Sequence, residues 1–208
     1  MDHKITVIGI GPGSPDYLPP IAARAIARAK VLVGGRRALA AFAPAGSETY
    51  PIGGDIAAVL AYIGRRLAEG DVAVLVSGDP GFHSLLAALR REFGPGRLEV
   101  IPGVSSVQLA FARLACPWQD AVLVSLHGRA AADGALDYAP GKKLALLTDA
   151  ANAPHAIAGE LLACGWPPAT AVWLCADLSY PGEQILATDL AAAAAGAGCE
   201  HCVMVVMA

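Results

Sequence analysis

The residues with the clearest chemical potential lie in three glycine-bearing turns: Gly9-Ile10-Gly11-Pro12-Gly13, Ser77-Gly78-Asp79-Pro80-Gly81 and Pro102-Gly103-Val104-Ser105-Ser106. Asp79 is a carboxylate between two glycines, placed to accept from a hydroxyl or an amino group. Glycine there lets backbone approach a ligand without a Cβ in the way. Ser105 and Ser106 precede the helical pattern Val107-Gln108-Leu109-Ala110, and two hydroxyls beside free helix N–H groups suit a carboxylate. Three such turns between Gly9 and Ser106 point to one shared cleft. Each has a plainer reading too: Asp79 or either serine caps the next helix, and His83 is a solvated or capping histidine.

Other constellations say less. Gly9-x-Gly11-x-Gly13 departs from the dinucleotide fingerprint, because its third glycine comes one position early. Pro12, Pro15, Pro19 and Pro20 keep the following chain extended or turning. No acid ends the second strand to hold a ribose; Gly34-Gly35-Arg36-Arg37 stands there. Those arginines would accept a 2′-phosphate, which makes an NADP-dependent reductase the rival enzyme class. Cys199-Glu200-His201-Cys202 has metal-ligand spacing but no second such pair, and it abuts the apolar run Val203-Met204-Val205-Val206. Thiols at a strand start, with no metal, are the expectation.

Periodicity supplies the elements that must position these turns. Strands over 4–10, 31–33, 72–76 and 98–101 alternate with helices over 21–30, 36–42, 55–69, 84–93 and 105–114. That alternation predicts a parallel sheet. Val72 to Val76 is continuously apolar, as in a strand buried on both faces. Asp55 is a plausible N-cap for a helix with Ile56, Val59, Leu60, Ile63 and Leu67 on its apolar face. All three turns then fall at the carboxyl ends of strands, where open α/β sheets bind ligands. Cys116-Pro117-Trp118 breaks the pattern, so domains over 1–115 and 118–208 are expected. The second half reads as strands over 121–126, 143–147, 170–176, 185–188 and 202–207, helices over 154–164 and 190–195, and a loop over 130–140. The fold class is α/β, in two α/β domains.

Bulk properties exclude several classes. The 208 residues suffice for one large or two small α/β domains. The chain is 55% hydrophobic, with mean hydropathy +0.51, yet much of this is alanine interrupted by charge. The longest uncharged stretch, 161–176, contains Gly165 and Pro167-Pro168, so no membrane span is expected. Met1-Asp2-His3-Lys4 runs straight into a strand, and without a visible secretory signal a cytoplasmic protein with reduced cysteines is expected. The net charge of −3 comes with no basic patch, which argues against nucleic acid as a partner.

The three turns, in this order and at these separations, resemble the tetrapyrrole methylases, the class III methyltransferases that use S-adenosylmethionine. Ile8-Gly9-Ile10-Gly11-Pro12-Gly13-Ser14-Pro15, Val76-Ser77-Gly78-Asp79-Pro80-Gly81-Phe82 and Ile101-Pro102-Gly103-Val104-Ser105-Ser106 carry the resemblance. Trp118-Gln119-Asp120-Ala121, Ser125-Leu126-His127-Gly128-Arg129 and Leu178-Ser179-Tyr180-Pro181-Gly182-Glu183-Gln184-Ile185 resemble the branch that methylates carbon 5 of precorrins in cobalamin synthesis.

The resemblance implies two α/β domains with the cofactor in a cleft between them (the tetrapyrrole methylase fold). It assigns cofactor contacts to Gly11, Pro12, Gly78, Asp79, Gly81, Phe82, Ser105 and Ser106, and in the second half to backbone at Thr148 and Ala176. Gly13, Arg36 and Arg37 would face a corrinoid substrate with many carboxylates. Ser14 replaces an acid often found in relatives, with Asp16 nearby as a substitute. His127 would move a ring proton and Arg129 would pair with a substrate carboxylate. A homodimer is implied. So is a separate decarboxylating C(15)-methylating subunit, since the chain ends at Ala208 without a second methylase domain. Diphthine synthases and ribosomal-RNA ribose methylases share the class, but the histidine-glycine-arginine loop argues against them. A non-enzymatic protein that binds S-adenosylmethionine without turnover is the remaining alternative.

Overall fold

The computed structural model of the chain describes residues 3–126, 131–196, 199 and 202–208. Two compact units divide it, Met1–Ser105 and Ser106–Ala208. The first begins with strand β1 (Ile5–Gly9), then helix α1 (Pro20–Arg28), β2 (Val31–Gly34), α2 (Arg36–Phe42), β3 (Glu48–Pro51), α3 (Ile56–Leu67), β4 (Val72–Val76), α4 (Leu86–Phe93) and β5 (Leu98–Ile101). The strands form one parallel sheet in the order β3-β2-β4-β1-β5. The sequence reading omits β3; its residues Glu48-Thr49-Tyr50-Pro51 are short, largely exposed and at the sheet edge, so they carry no apolar run.

Both sheet faces are covered, which explains why all of Val72–Val76 is buried. On one face Val7, Val33 and Val74 pack with Val59, Ile63 and Leu67 of α3 and Leu89 of α4. On the other, Ile8, Leu32, Leu75 and Ile101 pack with Ala22 and Ile26 of α1 and Leu39 of α2. Asp55 caps α3 as its position suggests, its Oδ1 accepting from the Ala58 N–H at 2.9 Å.

The second unit contains α5 (Ser106–Arg113), β6 (Ala121–Ser125), β7 (Lys143–Leu147), α6 (Pro154–Ala163), β8 (Ala171–Ala176), β9 (Gln184–Asp189), α7 (Leu190–Ala195) and β10 (Cys202–Met207). Its sheet is mixed, in the order β6-β7-β10-β8-β9, with only β6 and β7 parallel. Leu144, Leu146, Val172, Met204 and Val206 build its core with Ile157 and Leu161 of α6 and Leu190 of α7. Trp166 closes one end, its Nε1–H donating to the Leu136 carbonyl at 2.7 Å. Among the described residues, no helix is long and apolar enough to cross a membrane.

Candidate active site

Strand order locates the site in the first unit. The connection from β1 passes over β4 to reach β2, while that from β4 passes over β1 to reach β5. The two crossovers leave in opposite directions, so the topological switch lies between β1 and β4, and ligands bind beyond the carboxyl ends of such strands. Here β1 ends at Gly9, β4 at Val76 and β5 at Ile101, three adjacent strands feeding the three glycine turns.

The turns are joined to one another by hydrogen bonds. The Gly78 N–H donates to the Gly11 carbonyl at 2.8 Å, and the Ile10 N–H to the Val76 carbonyl at 3.0 Å. Asp79 connects the other pair: Oδ1 accepts from the Gly81 N–H at 2.8 Å and Oδ2 from the Gly103 N–H at 3.1 Å. Gly11 (φ 79°) and Gly78 (φ 66°) both occupy the left-handed region, so their type is set by backbone conformation.

Asp79 is not the cap of the following helix, because α4 starts only at Leu86. Its carboxylate spans two turns, and two acceptor oxygens with about four lone-pair positions leave capacity for a ligand hydroxyl or ammonium. Phe82 is half-buried with its ring edge-on to His83, the ring centroids 4.6 Å apart. Ser105 is buried, while Ser106 opens α5. This set of a carboxylate, open glycine backbone and a serine hydroxyl fits an amino-acid-bearing nucleoside by its chemistry.

The same geometry removes the dinucleotide reading. A Rossmann pyrophosphate sits on a helix that opens directly from the glycine turn. Here a short 3-10 turn, Pro15–Tyr17, follows, and α1 begins only at Pro20. The Ser14 Oγ accepts from the Asp16 N–H at 3.2 Å, so Ser14 acts as the cap of that turn. A groove of about 780 Å³ lies elsewhere in this unit, lined by His3, Lys30, Asp71 and Val72 near the amino ends of the strands, the end away from the switch point.

A model of the tetrapyrrole (corrin/porphyrin) methylases matches residues 4–194. The chain belongs to the tetrapyrrole methylases. A cobalt-precorrin-7 C(5)-methyltransferase of Salmonella typhimurium is 40% identical over 161 residues, 77% of this chain and 79% of that protein. The crystal structure of a precorrin-6Y methylase from Archaeoglobus fulgidus superposes with TM-score 0.75 at 25% identity, covering 99% of this chain and 97% of that one. A uroporphyrin-III C-methyltransferase from Thermus thermophilus, solved with S-adenosylhomocysteine, gives TM-score 0.77 at 25% identity, covering 98% and 91%.

In this tetrapyrrole methylase, Gly11, Pro12, Gly78, Asp79, Gly81, Phe82 and Ser105 stand on the three linked turns of the first unit, and Gly13 (φ 151°) lies two residues beyond Gly11. Arg36 and Arg37 open α2 directly after β2, exposed and without an ion-pair partner among the described residues. In the second unit, Thr148 follows β7 and Ala176 ends β8, with the start of β10 between them: Cys202 pairs with Ala176. The Thr148 hydroxyl and its backbone N–H both donate to the Cys202 carbonyl, at 3.0 and 3.4 Å, which leaves Thr148 its acceptor groups, the backbone carbonyl among them. His127 and Arg129 lie outside the described residues.

Two features are invisible to a motif search. Gly9 and Gly103 serve backbone-to-backbone packing and not ligand approach, since a Cβ on Gly103 would stand 2.4 Å from the Gly78 carbonyl oxygen. The second is the ion pair between Arg113 and Glu183, residues far apart in sequence that no local pattern connects.

Proposed function

We propose that this chain transfers a methyl group from S-adenosylmethionine to carbon 5 of a precorrin or cobalt-precorrin of the cobalt-precorrin-7 type, in cobalamin synthesis. The observation that carries the reading is the 40% identity across 77% of the chain with a cobalt-precorrin-7 C(5)-methyltransferase. The hydrogen-bonded turns beyond β4, β1 and β5 supply a place for the cofactor.

Bound S-adenosylmethionine supplies a methyl on a sulfonium, an electrophile that needs no further activation. The protein's task is therefore placement, and holding two reactants in near-attack geometry is worth about 7–11 kcal/mol of barrier. Gly11, Pro12, Gly78, Asp79, Gly81, Phe82, Ser105 and Ser106 hold the cofactor, together with backbone at Thr148 and Ala176. Asp79 accepts from ribose or amino groups while its other contacts fix Gly81 and Gly103. Gly13, Arg36 and Arg37 orient the substrate, the arginines through its carboxylates. His127 takes the ring proton, and Arg129 pairs with a further carboxylate. The working form is a cytoplasmic homodimer, and methylation at carbon 15 with decarboxylation falls to a separate subunit.

Incubation with S-adenosylmethionine and cobalt-precorrin-7, followed by mass spectrometry and carbon-13 labelling, is the test. One added methyl at carbon 5 is expected. Cofactor binding without any methylated tetrapyrrole would favour a non-enzymatic binding protein.

A further inference from the structure

The loop after β8 has a construction that the methyl-transfer scheme leaves unused. Asp177 (φ 47°) and Ser179 (φ 74°) both lie in the left-handed region that non-glycine residues avoid. The Tyr180 N–H donates to the Asp177 carbonyl at 2.9 Å and the Glu183 N–H to the Tyr180 carbonyl at 3.0 Å, folding residues 177–183 into two successive turns. Leu178 is buried beneath them, while Tyr180 is exposed.

The Glu183 carboxylate closes this loop and fastens it to α5. Its Oε2 accepts from the Ser179 N–H at 2.7 Å. Arg113, in the last turn of α5, donates from Nε to Oε1 at 2.5 Å and from Nη2 to Oε2 at 3.2 Å, a bidentate fork. The Arg113 guanidinium, and after it the Ser179 N–H, holds the Glu183 carboxyl below the usual carboxylate range. Backbone outliers persist where surrounding contacts over-determine them, and they cluster at functional sites. The strained loop leaves from Ala176, the last residue of β8.

We propose that Glu183, through Arg113 and Ser179, is a positioning residue that sets the Ala176 backbone for S-adenosylmethionine. This rests on the methyltransferase reading above. It assigns a purpose to the Leu178–Ile185 motif that composition cannot give: a clamp on the cofactor side of the second unit.

Calorimetric titration with S-adenosylmethionine and steady-state kinetics with cobalt-precorrin-7 test it on wild type, Glu183→Ala, Glu183→Gln and Arg113→Lys. Glu183→Ala is expected to raise Kd and KM for S-adenosylmethionine about tenfold, the loss of roughly one backbone hydrogen bond to the cofactor. The KM for the corrinoid stays unchanged, and Glu183→Gln, which keeps an acceptor for the Ser179 N–H, recovers part of the loss. A variant that melts at lower temperature yet binds S-adenosylmethionine as wild type does overturns the proposal. Should Glu183→Ala fail to fold, Glu183→Gln and Arg113→Lys decide by the same criterion. A wild-type protein that binds no S-adenosylmethionine would sink the methyltransferase reading together with this one; wild-type binding with unaltered variants sinks this role alone.

Discussion

The Cα of Gly9 lies so close to Gly103 that a methyl group built on it would stand 2.6 Å from the Gly103 nitrogen and 2.7 Å from the Gly78 oxygen. The strands β1, β4 and β5 end side by side, and their turns cross at this point with backbone against backbone. Neither neighbour is a flexible side chain that can swing aside. We therefore expect Gly9→Ala and Gly103→Ala each to cost about 1–3 kcal/mol or more, the range of overpacking a tight interior. Urea denaturation measures this directly. Gly35→Ala is the control, because a Cβ there meets nothing within 4 Å.

Asp79 is held by the same crossing, and its removal has two separable effects. Asp79→Ala leaves the Gly81 and Gly103 N–H groups without their acceptor. Asp79 is half-buried, so the stability cost is expected at the lower end of the 1–3 kcal/mol for an unsatisfied group. Under the proposed function, affinity for S-adenosylmethionine falls as well, by about tenfold, the worth of one charge-assisted hydrogen bond. Calorimetry at a temperature where the variant is fully folded separates the two. Lost stability with intact affinity would make Asp79 a purely architectural residue.

Much of this was legible in the sequence for a definite reason. A parallel strand buried on both faces is a continuous apolar run, and Val72–Val76 displays it without ambiguity. Glycines at strand ends then mark the ligand end of the sheet. What stayed hidden depends on tertiary proximity: Asp79 reaches Gly103 over 24 positions and Arg113 reaches Glu183 over 70, and no local pattern encodes either. The edge strand β3 was hidden for the opposite reason, since an exposed edge needs no apolar alternation. Gly9 and Gly103 admit another backbone and not a ligand, and sequence does not distinguish the two uses of a glycine.

Alkaline pH should reveal Tyr62. Its ring stacks on Tyr50 with centroids 4.0 Å apart, and its hydroxyl donates to the Glu48 Oε1 at 2.6 Å. Burial first, and the Glu48 hydrogen bond second, push its pKa from 10.0 up to about 12. A phenol whose folded pKa is raised adds stability that is fully present below its unfolded value and lost as pH rises through the folded one. Wild type should thus lose more stability than Tyr62→Phe between roughly pH 10 and pH 12, by about 1 kcal/mol because the Glu48 partner is exposed and solvent screens it. Denaturation at stepped pH compares the two, and parallel curves would rule out the effect.

The five cysteines should divide by burial when alkylated in the native state. Cys175 and Cys202 are buried, and desolvation is the largest cause raising both thiols, Cys175 to about 11. The thiolate is the reactive form, so neither has an appreciable nucleophile at neutral pH. Cys116, Cys164 and Cys199 are half-exposed. Mass spectrometry after brief iodoacetamide treatment should find label on these three first, with Cys175 and Cys202 reacting only once denaturant is added. Early labelling of Cys202 would mean that the start of β10 opens in the native state.

Arg36 and Arg37 stand in the first turn of α2, where a helix end already carries partial positive charge and cations are disfavoured. Neither has an ion-pair partner among the described residues, and both are exposed. Their position is thus not accounted for by local stability. Removing them should leave the fold unharmed or slightly improve it. Under the proposed function they meet substrate carboxylates, where an exposed charged contact is worth up to about 1 kcal/mol. Arg36→Ala and Arg37→Ala should each raise the corrinoid KM about three- to fivefold, with the double variant near the product of the two and no change in affinity for S-adenosylmethionine. The effect should shrink as salt is added, because exposed charges are screened within about 10 Å at 0.1 M. A corrinoid KM that stays at the wild-type value in the double variant, at low and high salt alike, would move the substrate's carboxylates elsewhere.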